Sequence, residues 1–181
     1  MKRTISRIGG TLAVVVLAAA PLFADRNAPS VKTLDQQVRH ELLMLPYYTI
    51  FDNVSYRVDG GTVYLSGDVR QPWLKTDAEK AVKAVPGVTR VVSDIRVLPL
   101  SSLDNRIRFA EYRAVFGYGG LYRYAMGGNP PVRIIVDGGH VKLVGYVATQ
   151  MDKNLAGIRA NGVPGVFSVE NDLMVAPKAA L

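Results

Sequence analysis

The 181-residue sequence contains no cysteine. That removes a disulfide framework, a thiolate zinc site, a cysteine nucleophile and a lipid-modified amino-terminal cysteine. Histidine is nearly absent too, with only His40 and His140. A multi-histidine metal site or a catalytic triad would have to be built on one of them. His40 reads as a solvated helix histidine, and His140 follows a turn at a position where the chain's own repeat has Thr62. No metal or other cofactor is expected. The stretch Gly117-Tyr118-Gly119-Gly120 lacks Gly-Lys-Ser/Thr and follows a helical pattern rather than a strand, so it does not read as a phosphate loop. Strong charge of one sign is missing as well. The formal charge is +7, but Lys2, Arg3 and Arg7 lie in the first seven residues, and the remaining 19 basic and 15 acidic residues leave about +4. That is compatible with an anionic surface and too little to argue for nucleic acid.

The chain opens with a basic stretch, then a ten-residue apolar run from Thr11 to Ala20, then Pro21-Leu22-Phe23-Ala24 before Asp25. This is the layout of a secretory signal peptide over 1–24, with cleavage expected after Ala24. The run falls short of the ~20 residues a spanning helix needs. Residues from about 25 onward are therefore expected to work outside the cytoplasm, in a bacterial periplasm, and not as a lipoprotein. Residues 25–32 read as a linker.

Everything after it is a repeat. Residues 60–99 and 138–177 align without a gap at an offset of 78, with 16 identities in 40 positions. Gly60-Gly61 matches Gly138-Gly139. Val63, Leu65, Gly67 and Val69 match Val141, Leu143, Gly145 and Val147, and Val85-Pro86-Gly87-Val88 matches Val163-Pro164-Gly165-Val166. Upstream the offset changes to 69: Leu34-Asp35 and Val38-Arg39 resemble Leu103-Asp104 and Ile107-Arg108. The second copy thus holds nine extra residues within 116–130, an aromatic-rich insertion.

Each copy reads as helix, strand, strand, helix, strand. In the first, Thr33 caps a helix over about 34–45 whose Leu34, Val38, Leu42 and Leu45 recur at helical spacing. Val54, Tyr56 and Val58 alternate as a half-buried strand, and Asp59-Gly60-Gly61 is a hairpin turn. Val63, Leu65 and Val69 return, with Gly67 marking a bulge or a close backbone approach. Pro72 opens a helix over about 72–84, Pro86-Gly87 breaks it, and a strand runs to Val97. The second copy repeats this with helices near 103–116 and 150–161 and strands near 132–137, 140–147 and 166–175. Asp94 and Asp172 recur in both copies and are expected in turn or capping roles. The fold class is α+β: two tandem αββαβ modules, 33–99 and 102–177, each a three-stranded sheet packed by two helices. Modules this small are marginal alone, so the two are expected to pack together, pairing or abutting their sheets.

The pieces Asp59 to Val69 with Val85 to Val97, and Asp137 to Val147 with Val163 to Val175, resemble the BON module of bacterial osmotically induced and nodulation proteins. The resemblance spans nearly all of 33–177, and Gly67 and Gly145 match the family's most typical residue. It implies an exported or envelope-associated, non-enzymatic protein that binds phospholipid membranes and supports envelope integrity or osmotic stress tolerance. No catalytic residue is implied.

Candidate contact residues gather in 106–126. Arg106, Tyr112, Arg113, Phe116, Tyr118, Leu121, Tyr122, Arg123 and Tyr124 combine rings with guanidinium groups. Such a set suits a bilayer interface, where rings lie among headgroups and arginine meets phosphate. Aromatics with arginine equally suit a protein interface. A core role for Ile107, Phe109, Tyr112 and Phe116, with tyrosines packed across the two modules, is the plainer reading. The alternative function is a protein–protein adaptor in an envelope or secretion assembly, or self-association, without lipid. Gly60, Gly61, Gly67, Gly138, Gly139 and Gly145 are expected to be structural turn residues.

Overall fold

A computed structural model describes residues 33–117 and 119–176; the signal peptide and linker expected over 1–32 lie outside the described residues. Both repeats belong to one compact unit. The first contains α1 (Leu34–Leu43), β1 (Asn53–Asp59), β2 (Thr62–Val69), α2 (Pro72–Lys83) and β3 (Arg90–Val97). The second contains α3 (Ser102–Phe116), a 3-10 helix (Gly119–Ala125), β4 (Val132–Asp137), β5 (His140–Val147), α4 (Gln150–Asn161) and β6 (Ser168–Val175). The order of elements is the expected one.

Local chemistry sets the boundaries. The Thr33 hydroxyl accepts from Gln36 N while the Gln36 side chain accepts from Thr33 N, a reciprocal cap on α1. Pro72 stands in the first turn of α2, where no amide hydrogen is needed. Ser101 and Thr149 cap α3 and α4 by accepting from Asp104 N and Asp152 N.

Each sheet has three strands, β1-β2-β3 and β4-β5-β6, the first pair antiparallel and the second parallel. Val63, Leu65 and Val69 point inward against Leu74, Ala78 and Val82 of α2 and Val38 and Leu42 of α1. Val141, Leu143 and Val147 do the same in the second module, against Ile107, Ala156 and Ala160. Gly67 pairs with Val54 and Gly145 with Val132 in unbroken register, so neither glycine is a bulge. Both are close approaches. Their φ angles are +120° and +118°, and a Cβ would overlap the carbonyl oxygen of Asn53 or Pro131.

Two expectations are corrected. Asp94 and Asp172 are neither turn nor cap residues; they sit on the solvent side of β3 and β6, and Asp172 pairs with Lys142 Nζ at 2.9 Å. The parallel strand carries them outward because Ile95 and Leu173, their neighbours, occupy the inward positions. Nor do the two sheets pair with each other, although the modules do pack together. A loop of the first module docks on the edge of β4 instead. Ile134 N donates to Ile50 O at 2.9 Å, and Ile50 and Phe51 belong to the second module's core. Five consecutive β4 residues, Val132 to Val136, are buried as a result. An otherwise open sheet edge is closed in this way.

Buried polar groups hold that loop in shape. Asp52 is fully buried; it accepts from Thr49 N and Thr49 Oγ1 through one oxygen and from Arg70 N through the other. Arg70 reaches Thr49 Oγ1 at 3.2 Å and lies over the Phe51 ring. From the second module, Arg133 donates to Thr49 O at 2.8 Å; away from that loop, exposed Arg96 of the first module meets Asp137 of the second at 3.6 Å.

Candidate functional site

The residues of 106–126 separate into two groups. Phe116, Leu121 and Tyr124 are buried in the second module's core. A 3-10 helix has three residues per turn, so Leu121 and Tyr124 share its inner side while Tyr122 faces out. The Tyr124 hydroxyl accepts from Ala148 N at 2.7 Å and donates to Asp152 at 2.9 Å. Arg123 also donates to Asp152, at 2.7 Å. Burial acts to raise the Asp152 pKa, but hydrogen bonds from Thr149 and Tyr124 and the Arg123 charge hold it below the ordinary value. The insertion is thereby fastened to the start of α4. Tyr118 lies outside the described residues.

Arg106 and Arg113 form the other group. They lie on the outer face of α3, with Phe109 and Ala110 between them and Leu103 one turn before, and with Pro164-Gly165 they line an open groove of about 690 Å³. Among the described residues neither arginine has a carboxylate within ion-pairing distance. Phe109 is 61% exposed although its ring meets Phe51 edge-on at 5.8 Å. Tyr112 also leans on Phe51, at 6.5 Å, and on Phe116. These two rings therefore do pack across the modules while leaving one side in solvent.

The repeat supplies an internal comparison. The first module has a groove at the matching place, about 330 Å³, lined by Gln37, His40 and Glu41 of α1 and by Ala81, Ala84, Val85 and Pro86. At the offset of 69, Arg106, Phe109, Ala110 and Arg113 stand where the first module has Gln37, His40, Glu41 and Met44. Both grooves have apolar walls, but the charged lining residue is Glu41 in one copy and Arg106 with Arg113 in the other.

Of the six glycines expected in turns, Gly60, Gly61, Gly138 and Gly139 lie at the two hairpin turns, whereas Gly67 and Gly145 lie within β2 and β5, where the neighbouring backbone leaves no room for a side chain. Gly60 and Gly138 adopt φ of +57° and +58° at the hairpin turns. At Gly61 and Gly139 a side chain would crowd Thr89 and Phe167. His40 and His140 are exposed, the latter hydrogen-bonded to Ser168 at 2.7 Å.

Other polar residues escaped the sequence reading. Asp104 is buried and accepts from Gly138 N and Gly139 N. Arg108 is buried and donates to Val136 O at 2.6 Å. Glu111 is fully buried, neither of its carboxylate oxygens has a hydrogen-bond partner among the described residues, and burial pushes its pKa from 4.5 up to about 8. The offset of 69 would have flagged Glu111, because it occupies the place of the core residue Leu42.

No helix among the described residues is long and apolar enough to cross a membrane. Comparison with curated proteins finds no match. The chain is similar to the solved structure of CdsD, a structural protein of the type III secretion system of Chlamydia trachomatis, at 13% identity over 81% of this chain and 94% of that one, with a TM-score of 0.31. It is similar also to the C-terminal domain of CdsD, at 14% identity over 81% of this chain and 100% of that one, with a TM-score of 0.29. The family model of the BON domain, a non-catalytic binding module associated with the cell envelope, matches residues 30–99 and 125–177. Its second match starts beyond α3 and most of the 3-10 helix, the part that carries the cationic groove. With both repeats matched over more than half its length, the chain belongs to the BON-domain family and carries two such modules in tandem.

Proposed function

We propose that this is a non-enzymatic periplasmic protein whose second module contacts anionic phospholipid and thereby supports the integrity of the envelope under stress. The observation that carries this reading is the divergence of the two grooves. Arg106 and Arg113, without an ion pair among the described residues, flank exposed Phe109, with exposed Leu103 one turn before, in the second module, while the first module keeps Glu41 and His40 at the matching place. Guanidinium groups meet headgroup phosphate, and the apolar residues between them rest at the acyl boundary. Tyr122, also exposed, adds a ring of the kind favoured at that depth.

The test is co-sedimentation of residues 25–181 with phosphatidylcholine vesicles, with and without phosphatidylglycerol. The parent is expected to pellet with the anionic vesicles and to be released by salt. Arg106→Glu with Arg113→Glu is expected to weaken binding about 30-fold or more, since each basic residue near an anionic surface contributes about 1 kcal/mol. A charge-matched control, Lys80→Glu with Arg90→Glu on exposed sites of the first module, should stay close to the parent. If both double variants fall equally, binding is diffuse attraction and the groove is not the site. If the parent does not pellet at all, the lipid reading fails and the adaptor reading takes its place.

A further inference from the structure

A separate cleft of about 300 Å³ lies where the two modules meet. Ligand sites favour such junctions: mostly apolar walls with a few placed polar groups. Two arginines line this cleft, Arg39 from α1 and Arg133 from β4, and no aspartate or glutamate does. Arg133 is only 7% exposed, yet among the described residues it has no carboxylate counter-ion. One of its nitrogens donates to Thr49 O, and the guanidinium lies 4.5 Å over the Tyr48 ring. Asp52, whose charge reaches Tyr48, has its oxygens engaged by Thr49 and the Arg70 amide. Buried charges are ordinarily compensated. Arg39 likewise makes no ion pair among the described residues. Two carboxylates stand behind its walls, Asp52 near Tyr48 and Asp35 near Tyr56, but among the described residues neither ion-pairs with Arg133 or Arg39, so the lining itself carries only positive charge.

Its walls specify more than charge. Tyr56, whose hydroxyl donates to Asp35 O, and Tyr146 present rings, Pro130-Pro131 presents an apolar edge, and Asn129, whose Nδ2 donates to Leu43 O, leaves its amide oxygen to accept. The features are particular to this junction. Arg133 stands where the first module has Ser55, Tyr146 where it has Asp68, and the prolines adjoin the insertion. We propose that this cleft binds a small anionic molecule carrying a ring, of the class of sugar acids and sugar phosphates. The anion meets Arg133 and Arg39, the ring lies against Tyr56 and Tyr146, and its hydroxyls meet Asn129. The site is distinct from the α3 groove and does not depend on lipid binding there.

The test is a titration of isotope-labelled residues 25–181 with glucuronate, glucose 6-phosphate, glucose and inorganic phosphate, followed by amide shifts. The two anionic sugars are expected to shift amides of 129–133, 146 and 53–56, and to bind at least tenfold more tightly than glucose or inorganic phosphate. Arg39→Glu, on an exposed helix face, is expected to weaken them at least tenfold without unfolding the protein, and Tyr146→Ala severalfold. Equal binding of glucose overturns the role of charge, and equal binding of inorganic phosphate overturns the role of the ring. Shifts confined to α3 and 164–165 overturn the site itself. So does a parent that binds none of the four, or an Arg39→Glu protein that binds like the parent. Vesicle binding that survives Arg39→Glu shows the two sites to be separate, whichever way the proposed function is decided.

Discussion

Gly145→Ala is expected to cost about 3 kcal/mol or more and to lower the melting temperature by about 10 °C or more, with Gly67→Ala doing the same in the first module. Both glycines have φ near +120°, outside the left-handed helical region that asparagine tolerates. A Cβ at 145 would overlap the Pro131 carbonyl oxygen, and one at 67 that of Asn53. Those oxygens belong to neighbouring backbone rather than a flexible side chain, so relief requires the strands to separate. The loss at 145 should spread, because the adjoining strand β4 also holds the first module's loop through Ile134 and Arg133. Gly60→Asn is the control: φ there is +57° and a Cβ would meet nothing within 4 Å, so it should change stability by less than about 1 kcal/mol. Urea unfolding followed by circular dichroism measures all three. A Gly145→Ala protein as stable as the parent would refute the close-approach account.

What could be read in the sequence was what depends on near neighbours. Thr33, Pro72, the glycine pairs and the periodic valines act within a turn or across one hairpin, so their roles were visible and the repeat doubled each signal. The docking of the modules was not visible. Asp52, Arg70 and Arg133 acquire their roles only when the loop at 49–52 meets β4, and no periodic pattern announces a contact between residues 84 positions apart. A trace existed: Val132, Ile134, Ile135 and Val136 form an almost continuous apolar run, the mark of a strand covered on both faces. In the candidate site the composition of 106–126 was legible while its sidedness was not. Tyr122 and Tyr124 look alike in sequence, and the 3-10 geometry of the insertion sends one outward and the other into the core.

Glu111 breaks the chemical pattern of the repeat at a core position. Its counterpart Leu42 is a core residue 4% exposed, and Glu111 is as deeply buried without a hydrogen bond to either oxygen among the described residues. Burial disfavours the carboxylate and moves its pKa from 4.5 to about 8. The folded state therefore holds a proton that the unfolded chain releases between those values. Stability contributed by the proton is fully present below about pH 4.5 and is lost as pH rises through 8. The loss is on the order of 5 kcal/mol once pH exceeds 8, at roughly 1.4 kcal/mol for each pH step of one between the two values. Glu111→Leu restores the residue type of the other copy and removes the buried acid. It is expected to flatten the decline and to leave the protein about 4 kcal/mol more stable than the parent at pH 8.5, with little gain at pH 5. Glu111→Gln, which keeps a buried polar group, should also flatten the decline but give less stability. Urea unfolding of the three proteins at pH 5, 7 and 8.5 decides the matter, since every other titrating group is common to them. If parent and Glu111→Leu decline in parallel, the carboxyl has found a partner or reached water. Should that happen, its burial among apolar residues would not be the source of any pH dependence.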